Sequence, residues 1–320
     1  MGWWWISGDG GGKIDVEGIT AEFGDLVVTV PNSTPRQLSI YRYRRTNKSY
    51  TEDLGNGVTL TLMLIPAGEF IMGAPEDEPK SSGDERPQHR VRVALFLMGR
   101  YPVTQAQWRV VAGYDRENRD LDPNPSHFKG DNRPIETVRW DDAQEFCQRL
   151  SKQTGKDYRL PSEAQWEYAC RAGTETPFHF GETILPELAN YNTAFSYKQI
   201  KFSGIDYPTI DLRGTTTEVG IFPANHFGLH DMHGNVWEWC EDDYHSSYEG
   251  APTDGSAWIE DDYPAWGSAT HRTRTRRVLR GGSWNYNPGN CRSADRNGSS
   301  HDNYDDYIGF RVCCVPRSPI

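Results

Sequence analysis

The chain contains few residues whose type and spacing suit metal or redox chemistry. Its six cysteines are widely scattered, and neither a Cys-x-x-Cys pair nor a His-Glu-x-x-His motif offers a zinc site. Three histidines, His226, His230 and His233, lie close together in a glycine-containing loop and not on one helix face. Their spacing therefore argues against a metal centre. We interpret the cysteines as free thiols of a cytoplasmic protein.

A second chemical signature lies in the C-terminal segment 281–312, hereafter the tail. Of the 23 residues from 285 to 307, 18 are Asn, Asp, Ser, Gly, Tyr or His. Tyr offers a large contact area at low entropic cost, and Ser, Gly and Asn offer adaptable hydrogen bonds, as in antibody paratopes. This composition favours a recognition surface; the alternative is a plain polar loop without a role.

The elements that position these residues begin with helices and strands. Thr104 and Gln107 form a capping-box pattern that predicts a helix start, and Ser162 and Gln165 repeat it. Between them, DDAQEFCQRLSKQTG predicts an amphipathic helix that ends at Gly155. VTLTLMLIPAGEFIMG predicts a strand pair. After the third helix the helical periodicity disappears, and loops and short strands are expected.

Charge and hydropathy exclude two classes of partner. The net charge is −11, so no basic face is available to neutralise nucleic-acid phosphates. No run of about 18 apolar residues occurs, so we expect no membrane partner, and the N-terminus lacks the basic region of a signal peptide. The basic cluster HRTRTRRVLR at 271–280 is interpreted as a solvated strand face, and the acidic segment 74–85 as a solvated loop.

Along the chain we expect a short β-type extension, 1–55, and a main domain, 56–320. Six stretches of the main domain resemble, in order, the formylglycine-generating-enzyme (sulfatase-modifying factor) domain: IPAGEFIMG, YPVTQAQW, RLPSEAQWEYACRAG, GLHDMHGNVWEW, RGGSW and IGFRV. The resemblance implies an α+β fold of the C-type-lectin type, with few helices, short strands and many loops.

The resemblance also identifies where an enzyme of this family would do its chemistry. In such enzymes two cysteines follow the GGS motif, and their thiolates hold a copper ion. Here those positions are Tyr286 and Cys291, and a phenol cannot replace a thiolate as a Cu(I) ligand. The iron-dependent branch takes histidines from an additional helical domain that we do not find. We predict a non-catalytic protein without copper; the alternative is a copper- or iron-dependent oxidase or hydroxylase.

The tail resembles the variable region of a diversity-generating retroelement protein, which uses this fold as a stable frame. Such elements randomise the adenines of AAC or AAT codons, which converts Asn into Asp, His, Tyr, Ser or Gly, among others. Lys, Glu, Gln, Met and Trp cannot arise in this way, and none occurs between 285 and 307.

We predict a surface for a protein or other macromolecular ligand, formed by Asn285, Tyr286, Asn287, Gly289, Asn290, Asp295, Asn297, Gly298, Ser299, Ser300, His301, Tyr304, Asp305, Asp306 and Tyr307. The fixed frame between these positions would be Trp284, Pro288, Cys291, Arg292, Ala294 and Arg296, followed by IGFRV.

Members of the family carry two calcium sites, and the resemblance maps their ligands onto this sequence. The first site would use the carboxylates of Asp231 and Glu238 and the carbonyls of Gly234 and Val236. The second would use the side chains of Asn190 and Asp211 and the carbonyls of Tyr191 and Arg213. Such hard oxygen ligands suit a structural Ca²⁺. The alternative is that Asp231 and Glu238 only cap turns and pair with arginines.

Overall fold

The computed structural model describes residues 17–29, 38–197, 214–260 and 276–315, with side chains from residue 45 onward. The strands in these ranges are β1 (Glu17–Thr29), β2 (Leu38–Gly55), β3 (Val58–Ile65), β4 (Gly68–Met72), β5 (His89–Val93), β6 (Phe96–Gly99), β7 (Asp157–Arg159), β8 (Trp237–Asp243), β9 (Arg276–Arg280), β10 (Arg296–Ser300), β11 (Ile308–Gly309) and β12 (Cys313–Val315). The α-helices are α1 (Gln105–Ala112), α2 (Trp140–Thr154) and α3 (Glu163–Arg171).

The described strands form three sheets. The largest has the order β1-β2-β3-β6-β12-β7, so the last strand pairs with two strands from the first half of the chain. A four-stranded sheet has the order β10-β9-β8-β11, and β4 pairs with β5. In the four-stranded sheet β11 runs parallel to β8, whereas β10 is antiparallel to β9. Apart from the long β1 and β2, the strands are short, and together with the three helices they confirm the predicted α+β class.

Local sequence sets the helix boundaries. At α1 the Thr104 hydroxyl accepts a bond from the Gln107 backbone N–H (3.3 Å), and the Gln107 side chain accepts one from the Thr104 N–H (2.9 Å). Ser162 and Gln165 make the same reciprocal pair at α3, both bonds being 3.1 Å long. Helix α2 ends at Gly155, whose φ of 69° favours glycine. The three predicted helices are confirmed.

Aromatic packing joins the helices to the sheets. Trp108 of α1 stacks on Phe146 of α2 with ring centroids 5.6 Å apart, and Phe310 meets both rings edge-on. Trp237 and Trp239 of β8 are buried in the same core. Burying an aromatic ring of this size contributes roughly 1.5–3 kcal/mol. Because Phe310 belongs to the tail, this core holds the tail's C-terminal end in place.

Two strand predictions are corrected. Strand β3 does not pair with β4, because both of its edges are already paired, with β2 and with β6. Of the basic cluster, only 276–280 lies within the described residues, as β9. This strand lies between β10 and β8. Arg277 is 8% exposed and pairs with Asp243, and Arg280 is fully buried and pairs with Glu167. They do not form a solvated face.

The N-terminal extension continues into the main sheet. Strand β1 pairs with β2, and β2 in turn pairs with β3 from Ser49 onward. The predicted boundary after residue 55 falls in the turn between β2 and β3, and the division into 1–55 and 56–320 stays a prediction. None of the helices in the described ranges has the length and apolar character needed to cross a membrane.

Candidate ligand-binding surface

Both ends of the tail are anchored in the four-stranded sheet. The tail leaves β9, returns along it as β10, and enters β11 beside β8. The Trp284 N–H donates to the Asn235 carbonyl (3.0 Å), and the Trp237 N–H donates to the Tyr307 carbonyl (2.8 Å). These bonds use backbone groups only, so the course of the tail is fixed at its ends without the side chains in between.

Arg292 holds the middle of the tail from inside the molecule. Its guanidinium is fully buried and donates to Glu85 through two bonds (2.8 and 2.6 Å) and to Glu78 (2.6 Å). Both carboxylates belong to the acidic segment 74–85, which was predicted to be a solvated loop. That prediction is wrong for Glu78 and Glu85, which are 8% and 0% exposed, because they neutralise an arginine more than 200 residues away.

Two further arginines hold the neighbouring strands. Arg296 on β10 binds both carboxylate oxygens of Glu163 at the start of α3 (2.7 and 2.6 Å). Arg280 on β9 pairs with Glu167 of the same helix and donates to the Ser293 carbonyl (2.9 Å). Buried ion pairs of this kind need both partners, because removing one leaves an uncompensated charge in the interior. The frame between the variable positions is therefore ionic and long-range.

Most of the positions predicted to face a ligand reach the surface. Twelve of the fifteen are exposed or half-buried, namely Asn285, Tyr286, Asn287, Asn290, Asn297, Ser299, Ser300, His301, Tyr304, Asp305, Asp306 and Tyr307. Tyr304 is the most exposed aromatic among them, at 50%. Several bond to one another, such as Asn287 to Asn290 (2.6 Å) and Tyr307 to Asp305 (2.8 Å).

Three predicted positions are corrected because they are buried. Asp295 is 7% exposed and accepts a bond from Arg292 (3.2 Å), and burial raises its pKa to about 7. A Cβ on Gly298 would lie 2.5 Å from the Tyr244 ring. A Cβ on Gly289 would lie 2.9 Å from the Asn287 side chain. These residues belong to the frame and not to a ligand-facing surface.

The two positions to which the family resemblance assigns copper ligands, 286 and 291, have a packed environment here. The Tyr286 ring meets Trp237 edge-on at 5.5 Å and lies 5.4 Å from the Tyr307 ring. Cys291 is fully buried, and burial raises the pKa of its thiol above the ordinary value. The thiolate is the nucleophilic form of cysteine, so this buried thiol is a poor nucleophile. This pair offers a phenol and a neutral thiol.

Of the trio His226, His230 and His233, the latter two bind separate backbone groups. The His230 Nδ1 lies 2.8 Å from a backbone carbonyl. The His233 Nε2 accepts a bond from the His179 N–H (3.0 Å), so its Nδ1 carries the proton and donates to the Cys291 carbonyl (2.7 Å). Burial lowers the pKa of both rings to about 4. Among the described residues, no group of three or more His, Cys, Asp or Glu side chains is placed to hold a metal ion.

Two oxygens of the implied calcium sites lack a partner. Asp231 is buried; one carboxylate oxygen accepts a bond from the Gly220 N–H (2.7 Å), and the other has none. Burial raises the pKa of Asp231 to about 6. The side-chain oxygen of the buried Asn190 is also unpartnered, and its backbone forms a bridge with Gly234. Asp211 and Arg213 lie outside the described residues.

Glu238 has a different environment. Its carboxylate accepts two bonds from Arg311 (2.6 and 2.7 Å) and one from the Trp166 indole (2.8 Å). Arg311 is the arginine of the IGFRV motif, so Glu238 ties β8 to the end of the tail. The arginine pairing named as the alternative therefore applies to Glu238, whereas Asp231 keeps a free oxygen.

The family is established by the similarity of the chain to known proteins. Residues 53–315 match the sulfatase-modifying factor enzyme 1-like domain. The chain belongs to this sulfatase-modifying factor family. Among curated members, the inactive C-alpha-formylglycine-generating enzyme 2 of Bos taurus is 27% identical, over 83% of this chain and 92% of its own length. The formylglycine-generating enzyme of Mus musculus is also 27% identical, over 82% of this chain and 77% of its own length.

Two solved structures are similar to this sulfatase-modifying factor domain in sequence and in fold. PvdO from Pseudomonas aeruginosa is 33% identical with a TM-score of 0.67, covering 83% of this chain and 98% of that one. Treponema denticola variable protein 1 is 27% identical with a TM-score of 0.61, and the match covers 84% of this chain and 99% of that one. These matches confirm the predicted C-type-lectin-like fold and the resemblance to a variable protein. Because the family includes active and inactive members, membership alone does not decide whether this domain is a catalyst.

Two residues of the tail that reach the surface, Asp302 and the half-buried Asn303, were missed from the sequence. Asp302 is exposed within the tail, and its carboxylate accepts a hydrogen bond from the hydroxyl of Ser300. Aspartate is among the residues reachable from an Asn codon, so composition could have identified it. The buried partners Glu78 and Glu85 carry no comparable signal, because nothing in a local pattern pairs them with Arg292.

Proposed function

We propose that this protein is a non-catalytic binding protein whose tail, diversified by a retroelement, recognises a protein or other macromolecular ligand. The observation that supports it most is the division of the tail into two environments. Residues that were assigned to the fixed frame, such as Arg292 and Arg296, are buried in ion pairs. Most of the Asn, Asp, His, Tyr, Ser and Gly residues of the tail reach the surface. A frame of this kind tolerates side-chain exchange at the surface positions.

The same proposal excludes oxygen activation at the copper position of related enzymes. Tyr286 replaces one thiolate, and the remaining thiol, Cys291, is fully buried, with burial raising its pKa. All six cysteines are unpaired and buried, which supports a reducing, cytoplasmic location as part of the proposal. The competing reading is an oxidase or hydroxylase that uses Cys291 in another way.

A copper titration with a peptide assay separates these functions. The protein and a Cys291→Ser variant are titrated with Cu(I), then incubated with a cysteine-containing peptide and oxygen. We expect equal copper binding by the two proteins and no peptide oxidation by either. If the protein binds copper that the Cys291→Ser variant does not bind, and if it also oxidises the peptide, the proposed binding function is contradicted.

We further propose a structural Ca²⁺ at Asp231. Its unpartnered buried oxygen supports a cation there, with the carbonyls of Gly234 and Val236 as further ligands. For the second site, only the free oxygen of Asn190 supports the assignment. Calcium should raise the melting temperature over that measured with EGTA, and Asp231→Ala should abolish the difference. Identical melting curves with calcium and with EGTA would refute the site.

A further inference from the structure

An open surface depression of about 560 Å³, hereafter the cavity, lies between the tail and a loop outside it. Tyr304, Asp305 and Asp306 of the tail form one wall. The other wall comes from the segment 125–129 and from Thr137, none of which belongs to the tail. A cavity of this size is large enough for one long side chain of a partner, since small-molecule pockets begin at about 300 Å³.

The wall outside the tail is held rigidly from beneath. The buried carboxylate of Glu136 accepts bonds from the backbone N–H groups of His127 (3.0 Å) and Phe128 (2.8 Å) and from the Thr137 hydroxyl (2.5 Å). The Phe128 ring packs edge-on against Trp284 at 5.4 Å. This wall is therefore preformed, which lowers the entropic cost of binding a partner.

The tail wall is joined to the same support. The Thr137 N–H donates to the Asp305 carbonyl (3.0 Å), and the Trp140 N–H at the start of α2 donates to the His301 carbonyl (3.1 Å). Both bonds use backbone carbonyls of the tail, so they persist when its side chains are exchanged. The two walls keep their relative position whatever residues stand at 301–307.

The charge of the cavity indicates the ligand group. The side chains of Asp305 and Asp306 line it beside the half-exposed ring of Tyr304. The one lysine of the opposite wall, Lys129, turns its ammonium to the Asn124 carbonyl (2.9 Å). The Arg139 guanidinium already lies over the Tyr304 ring, 4.9 Å from its centroid, so the attraction for a further cation comes from the carboxylates of Asp305 and Asp306. The net charge of −11 attracts basic partners from a distance.

We infer, on the basis of the proposed binding function, that this cavity takes a lysine or arginine side chain of a protein ligand. The recognition surface is then composite. The tail supplies the variable half, Tyr304 to Asp306, and the segment 125–129 supplies a constant half that contacts every ligand bound by a variant of this tail.

A displayed library of random peptides tests the inference. The library is selected on the full-length protein, and enriched peptides are measured against Asp306→Asn and against Asp302→Asn. The second variant removes the same charge from an exposed residue of the same loop that does not line the cavity. We expect enrichment of Lys or Arg, a loss of about tenfold in affinity with Asp306→Asn, and little change with Asp302→Asn. Equal melting temperatures establish that both variants fold.

The outcomes separate this inference from the proposed function. Enriched peptides that lose binding on substitution of Asn287 and Ser300, but are not basic and ignore Asp306→Asn, overturn the cavity assignment and leave the binding function intact. Equal losses with Asp306→Asn and Asp302→Asn reduce the effect to general charge and also overturn the assignment. A library from which no tail-dependent peptide emerges overturns the binding function and the inference with it.

Discussion

Arg292 and Tyr304 lie in the same polar tail but have opposite environments. Arg292 is fully buried between Glu78 and Glu85, whereas half of the Tyr304 side chain is exposed to solvent. The backbone between them is held by strand pairing and by ion pairs to distant segments. A segment almost free of aliphatic side chains can therefore be rigid when its few fixed residues form buried contacts.

The largest effect should come from breaking the frame at Arg292. Arg292→Ala leaves Glu85 buried without its partner, and we expect a loss of about 3–5 kcal/mol in the free energy of unfolding. Arg90→Ala is the control, because the Arg90–Glu69 pair is exposed and should contribute less than about 1 kcal/mol. Chemical denaturation measures both variants. Similar losses would remove the distinction between frame and surface.

A pH-dependent effect should follow from Asp295. Burial raises its pKa from 3.8 to about 7 in the folded state, although Arg292 opposes the shift. The folded state then binds the proton more tightly than the unfolded state, so the stability contributed by Asp295 falls as pH rises from about 4 to 7. The isosteric Asp295→Asn cannot titrate. As the pH rises from about 4 to 7, the free energy of unfolding of Asp295→Asn should increase by roughly 2–4 kcal/mol relative to that of the wild type.

Thermal unfolding of both proteins at several pH values checks this. A difference in stability that stays constant between pH 4 and 7 would mean that Asp295 titrates normally. In that case its place in the frame would need to be revised, and the position could belong to the variable set as first predicted.

A smaller loss is expected from overpacking at Gly298. The new Cβ of Gly298→Ala would lie 2.5 Å from the Tyr244 ring, so the ring or the strand must shift, at about 1–3 kcal/mol. Gly83→Ala is the control, because no atom lies within 4 Å of the Cβ position there. Equal melting temperatures for the two variants would mean that position 298 tolerates a side chain, as the exposed positions of the tail do.

The smallest effect should come from the exposed positions themselves. A combined variant, Asn287→Ser, Ser300→Asn and Tyr304→Asn, exchanges three exposed residues for others reachable from an Asn codon. Ser at 287 can keep the cap on the Gly289 N–H. Exposed substitutions usually change stability by about 0.5 kcal/mol or less each. A loss as large as that of Arg292→Ala would show that the surface of the tail is a packed element.

The helices and the fold could be predicted because their signals are local or shared with a family. Capping boxes, helical periodicity and six motifs in order all lie within short stretches. The surface positions were also accessible, since composition alone separates the Asn-codon residues from the rest. Twelve of fifteen reach the surface.

The interior of the tail could not be predicted because burial depends on contacts across the chain. Asp295 and Gly298 have the composition of variable residues, yet Arg292 and Tyr244 occupy the space beside them. The acidic segment 74–85 looked solvated because its arginine partner follows about 200 residues later. For the same reason the cavity wall at 125–129 gave no sequence signal: it becomes part of the surface only when the tail folds along it.

Sequencing the DNA that flanks the gene tests the central claim most directly. We expect a second, non-coding copy of the segment that encodes 281–312, differing almost only at adenines. The differences should fall in codons of the exposed positions and spare those for Gly289, Asp295 and Gly298. A flanking region without such a copy, or a copy that differs at other bases or at the buried positions, would contradict a diversified surface on a fixed frame.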